Sequence, residues 1–227
     1  LLFNCLIENG YLDHTGSSLI KGSGGIFEDK DALKRCLDPK YHPKIDAIIR
    51  LIEEAPGAVK KPVDIQKIMA SALSIKAGAL KASKIQIITE YAADIPAVSG
   101  DEWRIQQALF NIIFNAQQAM EGHIRSDSRQ HELTVKIERK SFQNQGGLMV
   151  DGVCVIISDT GNGMSDQTKK KIFDPFFTTK GPTGGKNIGL GLSILREVVL
   201  FHDGSIDVDS EEGSGTTFSV YFPVYKS

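Results

Sequence analysis

The chain has 227 residues, 41% of them hydrophobic and 24% charged, with a formal net charge of −2. This is the composition of an ordinary globular chain, and so small a net charge excludes a general attraction for nucleic acid or for an anionic membrane surface. Three widely spaced cysteines, Cys5, Cys36 and Cys154, with no CxxC pair, argue against a disulfide framework or a zinc site and fit reduced thiols in a cytoplasmic setting.

No apolar run approaches the length of a membrane span and no signal peptide is legible, so any membrane attachment is expected from regions outside this chain. The opening "LLFNCLIENG" lacks a start Met, which suggests a piece of a longer protein.

Two parts are expected, residues 1–57 and 58–227. The first mixes apolar runs with breakers, "GSSLIKGSGG" at 16–25 and "DPKYHPK" at 38–44. "IDAIIRLIEEA" follows with apolar residues at helical spacing, and Pro56-Gly57 ends it. The second part opens with a helix from "KPVDIQKIMASALSI" to about residue 80, a strand in "KIQIITEYA" and a turn at Ser99-Gly100. A long helix starts at Asp101. A strand "ELTVKIE", a hairpin-like excursion through "NQGG" and a buried strand "VCVIIS" ending at Asp159 come next. A helix begins near Leu190, and the strands "SIDVDS" and "TTFSVYF" close the pattern. Helices interleaved with largely antiparallel strands predict an α+β fold, a two-layer sandwich with helices on one face of a single sheet.

The long helix carries the first chemical signal. Ile105, Ala108, Leu109, Ile112, Ala116 and Ala119 form its core-facing stripe. Gln107, Asn111, Asn115 and Gln118 form a second stripe made only of amides. Asn competes for backbone hydrogen bonds and is a poor interior helix residue. Two of them four residues apart suggest a purpose, and their carbonyl oxygens suit Mg²⁺ when phosphates supply the charge. A solvated amide face fits the same stripe equally well.

Asp159 closes a buried strand just before Gly161 and Gly163, where a backbone is able to approach a flat ligand and a carboxylate to accept from an exocyclic amine. Alone, it also fits an Asp-Gly turn. "GNGMSD" and "GLGLSI" both fail GxGxxG at the last position, "GPTGGKN" is no Walker A loop, and HRD and DFG are absent. Rossmann, P-loop and Ser/Thr/Tyr kinase readings are therefore disfavoured.

Taken in order, Asn111 and Asn115, "DTGNGM", "IFDPFFTTK", "GLGLS" and the closing "GSGTTFSVYFP" form an N box, a first glycine box, a Phe box, a second glycine box and a terminal strand motif. From about residue 60 to 225 this resembles the catalytic ATP-binding domain of sensor histidine kinases, members of the GHKL or Bergerat-fold ATPase superfamily. "PFFTTK" is most similar to the nitrogen-regulator subgroup. The resemblance implies a Bergerat fold, ATP and Mg²⁺ as cofactors, and phosphoryl transfer from ATP to a histidine and then to the receiver domain of a response regulator.

It also implies roles for particular residues. Asp159, with Gly161, Gly163 and Thr216, would recognise adenine. Asn111 and Asn115 would hold phosphate and Mg²⁺, the metal ligand being Asn115. Gly189, Leu190, Gly191 and Leu192 would face the phosphates from a helix start. A lid from about Phe173 to Ile188 would carry Phe176, Thr179 and Lys180, although Phe176 and Phe177 also fit plain core positions.

The family's acceptor histidine is not clearly legible. His42 precedes Pro43 in a turn, His123 and His131 flank a loop, and His202 ends a helix where a cation suits the dipole. His14 stands 101 residues before Asn115 but reads "LDHTGSSLI", with Thr15 where the family has an acid. His14 is the candidate phosphoacceptor, little autophosphorylation is expected, and the first 57 residues are a partial or degenerate dimerisation hairpin that pairs two copies. Two other functions remain open: an ATP-binding signalling module without kinase activity, and a dimeric scaffold.

Overall fold

The computed structural model describes residues 60–124, 130–174, 177–179 and 189–226. The expected helical segment 1–57 lies outside them, as do Phe176, Lys180 and most of the expected lid. Among the described residues no helix is long and apolar enough to cross a membrane.

Strand β1 (Lys61–Val63) leads into helix α1 (Ile65–Ala82). Asp64 caps this helix, its carboxylate accepting from the amides of Gln66 and Lys67 at 3.1 and 3.2 Å. Ile65, Ile68, Met69, Ala72, Leu73 and Leu80 recur at three- and four-residue steps and are all buried. Strand β2 (Ile85–Tyr91) follows, then β3 (Val98–Gly100).

The turn expected at Ser99-Gly100 is instead the end of β3, which pairs antiparallel with β1 in the register Lys61↔Gly100 to Val63↔Val98. The reason lies far away in the chain. Val98 also bridges Val224, and the Tyr225 amide donates to the Ala97 carbonyl at 2.8 Å, so three distant segments satisfy one another's backbone here.

Helix α2 (Glu102–Ile124) starts where Asp101 accepts from the Arg104 amide at 3.0 Å. Its stripe Ile105, Ala108, Leu109, Ile112 and Ala116 is buried as its period requires. Beyond it come β4 (His131–Arg139), a short hairpin of β5 (Phe142–Gln143) and β6 (Met149–Val150), β7 (Gly152–Asp159), the one-turn α3 (Asp166–Lys169), α4 (Gly191–Phe201), β8 (Ser205–Glu211) and β9 (Gly215–Pro223).

Five strands form the main sheet in the order β2-β4-β7-β9-β8. Only β2 and β4 run parallel, joined through α2; the other neighbours are antiparallel. Helices α1 and α4 both pack on α2, which packs in turn on the sheet. Between the two layers lies the core, with Leu133, Val135 and Ile137 from β4 and Val153, Val155 and Ile157 from β7 alternating into it. A smaller cluster of Phe142, Cys154 and Tyr221 sits under the β5–β6 hairpin, where the "NQGG" excursion was expected. Burial pushes the Cys154 thiol up to about 11, which leaves it an inert core group. The architecture is the expected α+β two-layer sandwich.

Candidate nucleotide site

Asp159 is the last residue of β7 and lies opposite Thr216 of β9. It is 7% exposed, and its Oδ1 accepts from the Gly161 amide at 2.8 Å. Burial pushes its pKa up to about 6, against the downward pull of backbone hydrogen bonds from Gly161 and Thr216. Its ionised form is a charged acceptor largely withdrawn from water.

Two glycines let the backbones around it interlock. Gly163 has φ +62°, and a Cβ there would stand 1.8 Å from the Glu211 carbonyl oxygen. Gly215 has φ +106°, and a Cβ there would stand 1.9 Å from the carbonyl oxygen of Asp159 itself. The loop after β7 is thus closed onto the β8–β9 turn, where the Gly213 amide also donates to the Asn162 carbonyl at 2.7 Å.

Thr216 is buried beside this floor. Ser210 Oγ donates to the Gly215 carbonyl at 2.8 Å, so the 2.9 Å contact between the two hydroxyls has Thr216 as its donor. Gly215 and Ser210 belong to the site although neither was singled out from the sequence. The "GSGTT" string was the available signal for Gly215; Ser210 carries none.

The second half of the site is the start of α4. Leu190 precedes the helix without a side-chain cap, and Gly189 has φ +73°. The first amides of the helix, from Gly191 and Leu192 onward, therefore lack intrahelical acceptors, and with the helix dipole they suit an anion. Asn111 Nδ2 donates to the Gly191 carbonyl at 3.0 Å, which brings the amide stripe of α2 against this helix start. A carbonyl only accepts, so Nδ2 of Asn111 is the atom that faces this oxygen, while Oδ1 lies 3.7 Å from where a Cβ on Gly191 would stand. Among the described residues, none hydrogen-bonds the side chain of the half-buried Asn115 one turn further on.

Of the expected lid, Phe173 lies with its ring 6.0 Å from the Arg196 guanidinium of α4, and Thr179 is exposed. Phe176, Lys180 and His14 lie outside the described residues. One expectation is corrected. His202 is no solvated cation at the end of α4 but fully buried, and burial lowers its pKa below the ordinary 6.5.

Residues 100–226 match the family described as histidine kinase-, DNA gyrase B-, and HSP90-like ATPase. The chain belongs to this family. It is 33% identical over 163 residues to the C4-dicarboxylate transport sensor protein DctS of Rhodobacter capsulatus, a match spanning 71% of this chain and 22% of that protein. It is 28% identical over 185 residues to the sensor histidine kinase ZraS of Escherichia coli, spanning 79% of this chain and 36% of that protein. The chain thus spans about a fifth to a third of the length of these relatives. The nucleotide-free catalytic domain of the histidine kinase ThkA superposes with a TM-score of 0.58 at 25% identity, covering 73% of this chain and 95% of that domain. The described domain is an ATPase domain of this family, similar to the catalytic domains of sensor histidine kinases.

Proposed function

We propose that the chain binds Mg·ATP and donates the γ-phosphoryl group to a histidine, from which it passes to an aspartate on the receiver domain of a response regulator. In the first step the bond from the β-γ bridging oxygen to the γ-phosphorus breaks and one from an imidazole nitrogen forms. ADP leaves, and the imidazole proton passes to a base. What carries the reading is the pairing of a sealed carboxylate, Asp159, with an uncapped helix start to which Asn111 is hydrogen-bonded.

In this reading Asp159 accepts from the adenine amine, and the first amides of α4 receive the phosphates. The domain contributes position and charge neutralisation, with no covalent chemistry of its own. Asn115, with the Oδ1 of Asn111, offers neutral oxygen donors that fit Mg²⁺ only if phosphates complete the set, and among the described residues no group of three His, Cys, Asp or Glu offers an alternative. When bound, the metal neutralises charge on the transferring phosphates.

The remaining assignments rest on the sequence. "PFFTTK" supports the nitrogen-regulator subgroup, residues 1–57 are assigned to homodimerisation, and the domain is placed in the cytoplasm. Residues 58–227 are the catalytic unit. His14 is the acceptor candidate, and Phe176, Thr179 and Lys180 are lid contacts to the nucleotide. A specific observation favours a second reading, an ATP-binding signalling module without kinase activity: "LDHTGSSLI" has no acid after its histidine.

Titration with ATP, with and without Mg²⁺, on the wild type and on Asn115→Ala tests the binding half. The variant is expected to lose the Mg²⁺ enhancement while keeping metal-free affinity, and equal enhancement in both removes Asn115 from the metal. Incubation with γ-labelled ATP tests the transfer half. Acid-labile label that disappears in His14→Gln supports transfer to His14, whereas binding without label supports the second reading.

A further inference from the structure

His131, the first residue of β4, is 2% exposed. Its Nδ1 lies 3.1 Å from the carbonyl oxygen of Thr160 and 3.2 Å from the Thr160 hydroxyl. A carbonyl only accepts, so Nδ1 carries the proton and donates to it, with the hydroxyl sharing the bond. That hydroxyl also accepts from the Glu132 amide at 3.0 Å, and its own proton is directed to Met120 Sδ at 4.0 Å. The Thr160 amide in turn donates to the Glu132 carbonyl at 3.3 Å. Thr160 is exposed, yet every polar group it owns is engaged by the ends of β4 and α2.

Thr160 stands between the two residues that define the floor of the site. The Thr160 carbonyl and the Gly161 N–H belong to one peptide plane, which is rigid and trans. Holding the carbonyl therefore sets the direction of the N–H, and that N–H is the one donating to Asp159 Oδ1 at 2.8 Å. The chain of constraint runs from the His131 ring, through a single peptide plane, to the carboxylate.

We propose that His131 is a positioning residue for nucleobase selection. By fixing the Thr160–Gly161 peptide it aims the Asp159 carboxylate at the place where adenine presents its exocyclic amine. Guanine presents a carbonyl at the same ring position, which a carboxylate opposes. The inference rests on the ATP-binding reading above and adds a residue that touches no nucleotide.

The test compares affinities for ATP and GTP, with thermal unfolding alongside, in the wild type, His131→Leu and His131→Asn. Leu keeps the bulk and removes the N–H; the Asn side chain places an amide N–H near the position of Nδ1. His131→Leu is expected to weaken ATP by about three- to tenfold, the range for one lost hydrogen bond, while changing GTP much less. The ATP-to-GTP preference falls accordingly, and His131→Asn restores most of it. A preference unchanged in His131→Leu, even with a lowered melting temperature, overturns the proposal and leaves His131 a plain core residue. Should His131→Leu not fold, His131→Ser against His131→Asn carries the same comparison. A wild type that binds neither nucleotide overturns the ATP-binding reading itself, a result distinct from a wild type that binds ATP with an insensitive preference.

Discussion

The backbone amide of Asp101 donates to Nε2 of His202 at 2.9 Å. Nδ1 of the same ring meets the Val198 carbonyl at 2.6 Å, and since that oxygen only accepts, the ring is neutral with its proton on Nδ1. One buried imidazole thereby joins the end of α4 to the beginning of α2, while Asn111 and Gly191 join the two helices again beside the site. Helices α2 and α4 are thus registered against each other at two points.

Burial holds the His202 pKa below its ordinary 6.5, with the nearby Lys60 and Arg104 acting in the same direction and the Val198 bond and Asp101 opposing it. A depressed folded value means that the neutral ring's contribution is fully present above pH 6.5 and is lost as pH falls below it, because the unfolded chain takes the proton first. Urea unfolding between pH 7 and pH 5 should show the wild type losing stability relative to His202→Gln over this window. His202→Ala should cost about 2–4 kcal/mol at pH 7.5 from the cavity and the stranded Asp101 amide. Parallel pH profiles for wild type and His202→Gln would contradict the assignment of a neutral ring.

Asp159 has the opposite sign. Its folded pKa, about 6, lies above the ordinary 3.8, so its stabilising contribution is fully present below pH 3.8 and is lost as pH rises through 6. The difference between 3.8 and about 6 corresponds to about 3 kcal/mol of destabilisation at pH 8. Asp159→Asn should accordingly unfold at a higher temperature than wild type at pH 8, with the gap closing towards pH 4. The same variant should bind ATP at least about tenfold more weakly, because a charged acceptor is lost. A gap that does not change with pH would mean that the carboxylate is solvated.

Gly215→Ala tests the interlock. Its Cβ would fall 1.9 Å from the Asp159 carbonyl oxygen at a φ of +106°, which no rotamer relieves. A loss of about 3 kcal/mol or more is expected, together with loss of nucleotide affinity in whatever remains folded. Alanine at Gly213, which also has positive φ but open space around it, should cost less. Equal effects at the two positions would assign the cost to φ alone.

Asn111→Asp should be worse for ATP than Asn111→Ala. The alanine loses the bond to the Gly191 carbonyl. The aspartate also sets a negative charge against that carbonyl and towards the phosphates, and affinity should fall by a further factor of about ten. Calorimetric titration of both variants decides it; an aspartate that binds as well as alanine would separate Asn111 from the phosphate end.

Much of this was legible because the signals are local. The stripe Ile105, Ala108, Leu109, Ile112 has a period that needs no partner to be seen, and Asp159 stands where an apolar run stops before two glycines. Strand β3 looks like a turn in the sequence because three residues carry no period, and its partners Lys61–Val63 and Val224 are distant. The neutrality of His202 depends on complete burial, which its immediate neighbours in sequence do not reveal. The hold of His131 on Thr160 is a contact across 29 residues that leaves no spacing to recognise.

Strand β9, which follows every other element of the domain in chain order, lies between β7 and β8 in the sheet. During synthesis, Asp159 leaves the ribosome long before Thr216, and the carboxylate has no floor until Gly215–Pro223 emerges and inserts. Nucleotide affinity should therefore appear abruptly, after the whole domain is exposed, and nascent chains stalled before β9 should present the open edges of β7 and β8 to chaperones in place of a binding site.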